Sequence, residues 1–366
     1  METVHPLCCG LDVHQAQVSA CLRRVNADGG VSVEHRRYAT TLRELTALSD
    51  WLVESGCPVA AMESTGVYWK PVYHVLDGVV EVWVLNACDV KQRRGKKTDR
   101  ADAQWIAEML AYALVQPSFV PPAKITALRE MVRMRTALVH SRTQAKNRVL
   151  MVLEDTNIKL SSVVSDVFGA SGRAILEALM SGERTPQEMA QLAKGVLRKK
   201  IPQLEVALEG GFTPHHGVLI GLNLEIVDLL DHQIAQLDEQ IGAMIEPMRA
   251  EVERLKTIPG VNETASRTIL AETGTDMSRF VDAGRLASWA GMCPGNNESA
   301  GKRKSGRTRR GNRHLRRILV ECAWSAGKTD SFLGRRFRTL QARIGGKKAA
   351  VAIGHKILVI VFHLLN

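Results

Sequence analysis

Leu7-Cys8-Cys9-Gly10-Leu11-Asp12 is an apolar run closed by a carboxylate, and it opens the succession of strands and helices that decides the fold. Val18–Val25 and Val31–His35 are β-prone, and Ala27-Asp28-Gly29-Gly30 between them is a hairpin turn signal. Leu42, Leu45, Leu48 and Leu52 then recur at helical spacing behind Thr41, a residue suited to an N-cap. Pro58–Met62 reads as a buried strand closed by Glu63, Gly66–Leu76 as a helix, Val80–Leu85 as a strand and Asp99–Leu114 as a helix.

Three strands followed by helix and strand in alternation suit an α/β domain with a mixed sheet of the ribonuclease H-like type. It is expected over residues 1–117, ending before Pro121-Pro122. Residues 123–157 carry a long amphipathic helix, with Leu128, Met131, Leu138, Val149, Met151 and Leu153 among its apolar positions. Residues 158–221 read as shorter helices with breaks at Gly169, Pro186, Pro202 and Gly210-Gly211. A second long helix is predicted over Asn223–Leu255, its apolar residues spaced as in a packed helix seam. Residues 118–255 are thus expected to form a helical, coiled-coil middle: a hairpin, a coiled coil between subunits, or an internal bundle core. Residues 256–366 form a third, mainly helical unit, with helices over Ala283–Ala290, Asn312–Ser325, Ser331–Ile344 and Lys347–Leu365. In it Ile258-Pro259-Gly260-Val261-Asn262 precedes Glu263–Glu272 in the manner of a helix-hairpin-helix element, whose backbone N–H groups can meet a phosphate. Asn262 stands where a second glycine is usual, and asparagine tolerates a left-handed backbone. A plain helix start is the competing reading.

The 366 residues suffice for two or three domains, and 45% hydrophobic content is that of a chain able to bury a core. The net charge of +11 favours a polyanionic partner. The charge is concentrated: residues 298–317 hold nine Lys or Arg against Glu298 alone, and residues 91–100 hold six against Asp99. Both runs adjoin candidate catalytic residues, which favours nucleic-acid contact over a merely solvated face. The nucleic-acid candidates are Lys96, Lys97, Arg100, Gly260, Lys302, Arg303, Lys304, Arg307, Arg309 and Arg310. Seven cysteines, odd in number and without a C-x-x-C pair, read as reduced thiols of a cytoplasmic protein, with no zinc-site spacing. The N-terminus lacks a signal-peptide pattern, and the apolar stretch Lys356–Asn366 is too short to span a bilayer, so it reads as a core helix and no membrane partner is expected.

Asp12 and Glu63 close strands, and Asp99 and Asp102 lie three apart, so on a helix they share a face. Four carboxylates brought together repel unless cations neutralise them, and Mg²⁺ or Mn²⁺ suits oxygen ligands. Two such ions can clamp the attacking and leaving oxygens of a phosphodiester. Taken alone, Asp99 and Asp102 could be ordinary acids at a helix N-terminus. Ser299 lies in Glu298-Ser299-Ala300-Gly301-Lys302-Arg303-Lys304, where cations could stabilise charge building on phosphorus. Ser305 is a rival in the same loop, and the residues by themselves do not separate the two. Tyr68 and Trp69 could stack on a base, though packing on the sheet is the simpler use.

These motifs, in this order, resemble the DEDD transposases of bacterial insertion sequences (family one hundred and ten), the bridge-RNA-guided recombinases. The N-terminal resemblance rests on Gly10-Leu11-Asp12, Glu63-Ser64-Thr65-Gly66-Val67-Tyr68 and Thr98-Asp99-Arg100-Ala101-Asp102, and is to the family's RuvC-like domain. The C-terminal one rests on Ile258-Pro259-Gly260, Trp289-Ala290-Gly291-Met292-Cys293-Pro294 and Glu298-Ser299-Ala300-Gly301-Lys302 through Gly311-Asn312-Arg313-His314-Leu315-Arg316-Arg317. The resemblance implies that Asp12, Glu63, Asp99 and Asp102 bind Mg²⁺, and it selects Ser299 over Ser305 as a nucleophile forming a 5′-phosphoserine linkage. It implies double-stranded donor and target DNA and a non-coding bridge RNA as partners. It also implies a bacterial, nucleoid-associated homo-oligomer, at least a dimer and expected to be a tetramer, with each active site shared between protomers. The alternative is a RuvC-like junction-resolving endonuclease that uses the four acids and water, without a serine intermediate.

Overall fold

The computed structural model describes residues 2–64, 66–90, 98–294, 297–299, 302–305, 308 and 310–366, with residues 88, 89, 297–299 and 302–305 described by backbone alone. It divides into two compact units, Met1–Val120 and Pro121–Asn366, the second holding both the middle and the C-terminal regions.

The first unit contains β1 (Leu7–Val13), β2 (Gln17–Val25), β3 (Val31–Ala39), α1 (Leu42–Glu54), β4 (Val59–Glu63), α2 (Trp69–Leu76), β5 (Glu81–Leu85), α3 (Ala87–Val90) and α4 (Asp99–Ala111). The strands form one mixed sheet in the order β3-β2-β1-β4-β5. β1, β2 and β3 pair antiparallel, and β4 joins β1 in parallel with Leu11 beside Met62. β5 joins β4 in parallel with Leu85 beside Glu63. The β2–β3 turn forms where the glycines predict it: Gly29 has φ +80° and Asp28 accepts from the Gly30 N–H at 2.8 Å. α2 begins at Trp69, later than expected, because Gly66 is left-handed (φ +62°) and a helix cannot run through it. Trp69 packs against the core, while Tyr68 is exposed.

Side-chain alternation divides the sheet's contacts. Cys9, Leu11 and Val13 join Leu45, Leu48 and Leu52 of α1 and Val72 and Leu76 of α2 in one core. Cys8, Val59 and Ala61 join Ile106 and Leu110 of α4 on the opposite face. Asp12 shares the parity of Cys8 and Gly10, and Glu63 that of Val59 and Ala61, so both carboxylates belong to the α4 face.

The second unit contains α5 (Ala123–Asp155), α6 (Leu160–Val163), α7 (Ala170–Ser181), α8 (Pro186–Ala190), α9 (Ile201–Ala207), α10 (Pro214–Ile245), α11 (Arg249–Lys256), α12 (Glu263–Thr273) and α13 (Ala283–Trp289). It continues with the strands β6 (Asn297–Ser299) and β7 (Lys302–Ser305) and the helices α14 (Arg313–Gly327), α15 (Phe332–Ile344) and α16 (Gly346–Leu365). α5 and α10 lie antiparallel within one chain. Arg135 grips Asp238 with two hydrogen bonds of 2.5 and 2.9 Å, and seven residues along each helix, in opposite directions, Arg142 pairs with Asp231.

The second long helix departs from the range Asn223–Leu255. It starts at Pro214, because Thr213 caps it reciprocally with His216 and proline is pre-set for the first helical position. It ends at Ile245, because Pro247 offers no N–H; a 3₁₀ turn, Glu246–Met248, intervenes before α11. α16 is long and apolar enough to cross a membrane by length and composition. It instead buries Ala349, Ala350, Ile353, Ile357, Leu358 and Val361 within its unit, the core role expected of Lys356–Asn366.

Candidate active site

Small residues bring α4 onto β1. A Cβ on Gly10 would lie 2.1 Å from the Ala103 carbonyl oxygen and 2.4 Å from the Ala107 nitrogen, so only glycine admits the helix. Ala103 and Ala107 are fully buried, and the Cys8 thiol donates to the Ala107 carbonyl at 3.4 Å. The helix runs opposite to the strand: its C-terminal Ala111 carbonyl accepts from the Val4 and His5 N–H groups. Four helical residues rise about 6 Å and two strand residues about 6.6 Å, so the two repeats stay in step. Counting back from Ala107 over Cys8 and Ala103 over Gly10 puts Asp99 over Asp12. Thr98 caps the helix by accepting from the Ala101 N–H at 3.3 Å, which leaves Asp99 and Asp102 in the first turn where the helix dipole favours acids.

The carboxylates of Asp12 and Asp99 meet at His14. Its Nε2 lies 3.0 Å from Asp12 Oδ2 and 3.7 Å from Asp99 Oδ1. Gln17 donates to Asp99 Oδ2 at 2.8 Å. Burial raises the Asp12 carboxyl above its ordinary value; the His14 interaction opposes this, and the charges of Asp102 and Asp99 add to it. Glu63 ends β4 one residue beyond Met62, which lies beside Leu11, so the parallel register sets it level with Asp12 at the ends of adjacent strands. One ligand atom each from Asp12, His14 and Asp99 lies within 4.8 Å of the others. Oxygen donors with concentrated, partly desolvated negative charge fit a divalent cation. The sequence alone marks neither His14 nor Gln17 as a site residue. The available signal was the i, i+2 relation of Asp12 to His14 at a strand end, followed by a hairpin that returns at Gln17.

Arg100 is exposed on α4, and its charge, after burial, helps lower the His35 imidazole. Lys96 and Lys97 lie outside the described residues, as do Thr65, Arg307 and Arg309.

In the second unit Ser299 closes β6 opposite Lys302, at the turn end of a short hairpin, whereas Ser305 pairs with Asn297 at its base. Arg303 and Lys304 lie in β7 with Lys302, and Arg310 is exposed just before α14. A bridge between Pro294 and Thr308 closes the hairpin from below. Gly260 holds φ +88° in the turn between α11 and α12, where a Cβ would lie 2.4 Å from the Cys322 carbonyl oxygen, so the turn packs tightly on α14. Asn262 is extended, not left-handed; it is the N-cap of α12, its Oδ1 accepting from the Ala265 N–H at 2.9 Å. Glu263 at the first position of α12 is ion-paired with Arg249, Lys256 and Arg267.

Residues 9–158 match the profile of the IS110-type DEDD transposases, and residues 252–337 that of the IS116/IS110/IS902 transposase family. A probable family 20 transposase of Pseudomonas aeruginosa is 26% identical over 284 residues, 75% of this chain and 73% of the relative. The transposase for insertion sequence element IS1111A of Coxiella burnetii is 25% identical over 290 residues, 75% of this chain and 68% of the relative. Among solved structures, Thermus thermophilus RuvC in complex with a Holliday junction substrate aligns with 30% of this chain and 99% of its own at 15% identity, with a TM-score of 0.23. The first matched segment holds Asp12, Glu63, Asp99 and Asp102, the second holds Ser299, and the chain belongs to the IS110-type transposases of insertion sequences.

Proposed function

We propose that the protein excises and inserts a mobile element by cutting and rejoining DNA through a covalent phosphoserine intermediate, with a bridge RNA choosing donor and target. The observation that carries the reading is the carboxylate cluster at the end of β1 and the N-terminus of α4, in a chain of the transposase family. Asp12, Glu63, Asp99 and Asp102 would hold Mg²⁺ or Mn²⁺, with His14 a neighbouring nitrogen donor. When bound, the ion supplies positive charge against the phosphodiester oxygens.

The chain's own part is transesterification. Ser299 Oγ forms a bond to phosphorus, the bond from phosphorus to the 3′ oxygen breaks, the serine proton passes to solvent and the leaving 3′ oxygen takes one up. A 3′ hydroxyl of the joined strand then reverses the step and frees the serine. Each step exchanges one phosphoester for another, so bond energy is conserved and no nucleotide hydrolysis is needed. Lys302, Arg303, Lys304 and Arg310 follow Ser299 closely in the sequence, and cations of this kind suit a phosphorus centre gaining negative charge. The site is read as shared between protomers, which makes the working form at least a dimer, with a tetramer proposed.

The test mixes full-length protein, Mg²⁺, RNA transcribed from the element's flanks and labelled DNA, followed by denaturing electrophoresis. A protease-sensitive adduct lost in Ser299→Ala and kept in Ser305→Ala is expected. Cleavage without any adduct, equal in wild type and both variants, would replace this reading with a metal-dependent junction-resolving endonuclease.

A further inference from the structure

Glu272, in the last turn of α12, is fully buried and charged. Arg133 of α5 grips it as a fork, Nε to Oε1 at 2.8 Å and Nη2 to Oε2 at 2.7 Å. Arg129, one turn earlier on α5, lies 3.3 Å from Oε2 and donates to the backbone carbonyls of Ala271 and Glu272 at 3.1 and 2.6 Å. A fourth residue completes the node: Asn312 Nδ2 donates to Glu272 Oε2 at 2.6 Å. The same Asn312 side chain caps α14, its Oδ1 accepting from the N–H groups of His314 and Leu315, each at 3.1 Å. One amide therefore joins a buried carboxylate to the start of a helix, and both of its ends are used.

Asn312 is also where the downstream chain leaves the Ser299 hairpin. The residue before it, Gly311, lies so close to Ala290-Gly291 that a Cβ would come within 2.3 Å of the Gly291 nitrogen. With the Pro294–Thr308 bridge, the base of the hairpin is held at three successive points, and the deepest of them is the Asn312–Glu272 hydrogen bond. A buried charge cluster gains little over apolar packing of the same volume, and the best-attested use of such a cluster is to specify one arrangement.

We infer that Glu272 and Asn312 are positioning residues that set the base of the hairpin carrying Ser299. This rests on the proposed serine chemistry for its catalytic meaning, but its structural content stands apart from it. Misplacing a reacting group by about 1 Å costs on the order of 100-fold in rate.

The variants are Asn312→Ser and Asn312→Asp in the full-length protein. Serine and aspartate both cap helices well, so α14 keeps its start. Serine is too short to reach Glu272, and aspartate turns a donor into a second carboxylate facing it. The pair Asn312→Asp with Glu272→Gln exchanges donor and acceptor and serves as the rescue. Three readouts are taken: the adduct-forming rate at saturating DNA, the DNA concentration giving half that rate, and hydrogen exchange at the β6 and β7 amides. The expected result is a rate lowered about 10- to 100-fold, an unchanged half-saturating DNA concentration, a lowered melting temperature with the faster exchange concentrated in β6 and β7, and partial recovery of rate and protection in the double variant. Unchanged exchange in β6 and β7 would overturn the inference, as would a loss of protection spread uniformly over the chain, which would mark the node as general stabilisation. If wild type forms no adduct, the serine reading fails, while hydrogen exchange still decides the positioning claim by itself.

Discussion

Gly10 is the residue on which the candidate metal site depends most directly, although it carries no functional group. Its missing side chain is the space that α4 occupies, and Asp99 reaches Asp12 only because the helix lies that close. Gly10→Ala forces backbone apart from backbone, since both opposing atoms belong to the main chain of α4. It is expected to cost about 1–3 kcal/mol of stability, typical of overpacking, and to weaken Mn²⁺ binding. Urea denaturation and titration calorimetry read the two effects; a variant of wild-type stability with weaker Mn²⁺ binding would show that α4 shifts without strain. In the same site His14 and Gln17 hold Asp99 from the β1–β2 hairpin, which makes that short turn part of the site.

At the scale of elements, the node around Glu272 ties α5, α12 and α14 together. Burial pushes the Glu272 carboxyl up, but the hydrogen bonds of Arg133 and Asn312 and the charges of Arg133 and Arg129 outweigh it and hold it below the ordinary value of 4.5. Burial pushes the Arg129 guanidinium down to about 10, still charged at neutral pH. Removing the acid strands two partly or largely buried arginines, so Glu272→Ala is expected to lose about 3–5 kcal/mol. A folded carboxyl held below its unfolded value stabilises above the unfolded value, and that contribution disappears as pH falls through the folded one. The melting-temperature gap between wild type and Glu272→Gln is therefore expected to be widest above pH 4.5 and to narrow on acidification below it. A gap that stays constant down to the acid transition would show that Glu272 acts through its shape and not through its charge. The α5–α10 pair reads differently: its arginine–aspartate bridges are partly exposed, so they specify antiparallel register more than they add stability.

Across the whole molecule, each unit has its own core. In the first, the sheet is covered by α1 and α2 on one face and by α4 on the other, with Val115 and Val120 closing the two cores before the boundary. A fragment of residues 1–120 is expected to melt cooperatively and to bind Mn²⁺ as the full chain does, by calorimetry; a fragment without a melting transition would mean that the first unit needs the second to fold. The sequence by itself determined the order of strands and helices, the mixed sheet and the acid-bearing ends of β1, β4 and α4, because alternation, helical periodicity and capping are local properties. It also set Ser299 among basic residues and carried the motifs by which the family is known, but the expected loop is a short hairpin, with Ser299 closing β6 and the cations following in β7. It did not determine where α10 begins and ends, since apolar spacing runs past Pro247 while the missing N–H does not allow the helix to follow. Tertiary structure alone decided that Gly10 is the gap for α4, that His14 and Gln17 join Asp12 and Asp99, and that Glu272 is buried between Arg129, Arg133 and Asn312. Apart from the local Asp12–His14 pair, these are contacts across long stretches of chain, 82 residues for Gln17 and Asp99 and 139 for Arg133 and Glu272. A glutamate near the end of a helix of mixed polar and apolar residues carries no mark of its partners until folding brings them to it.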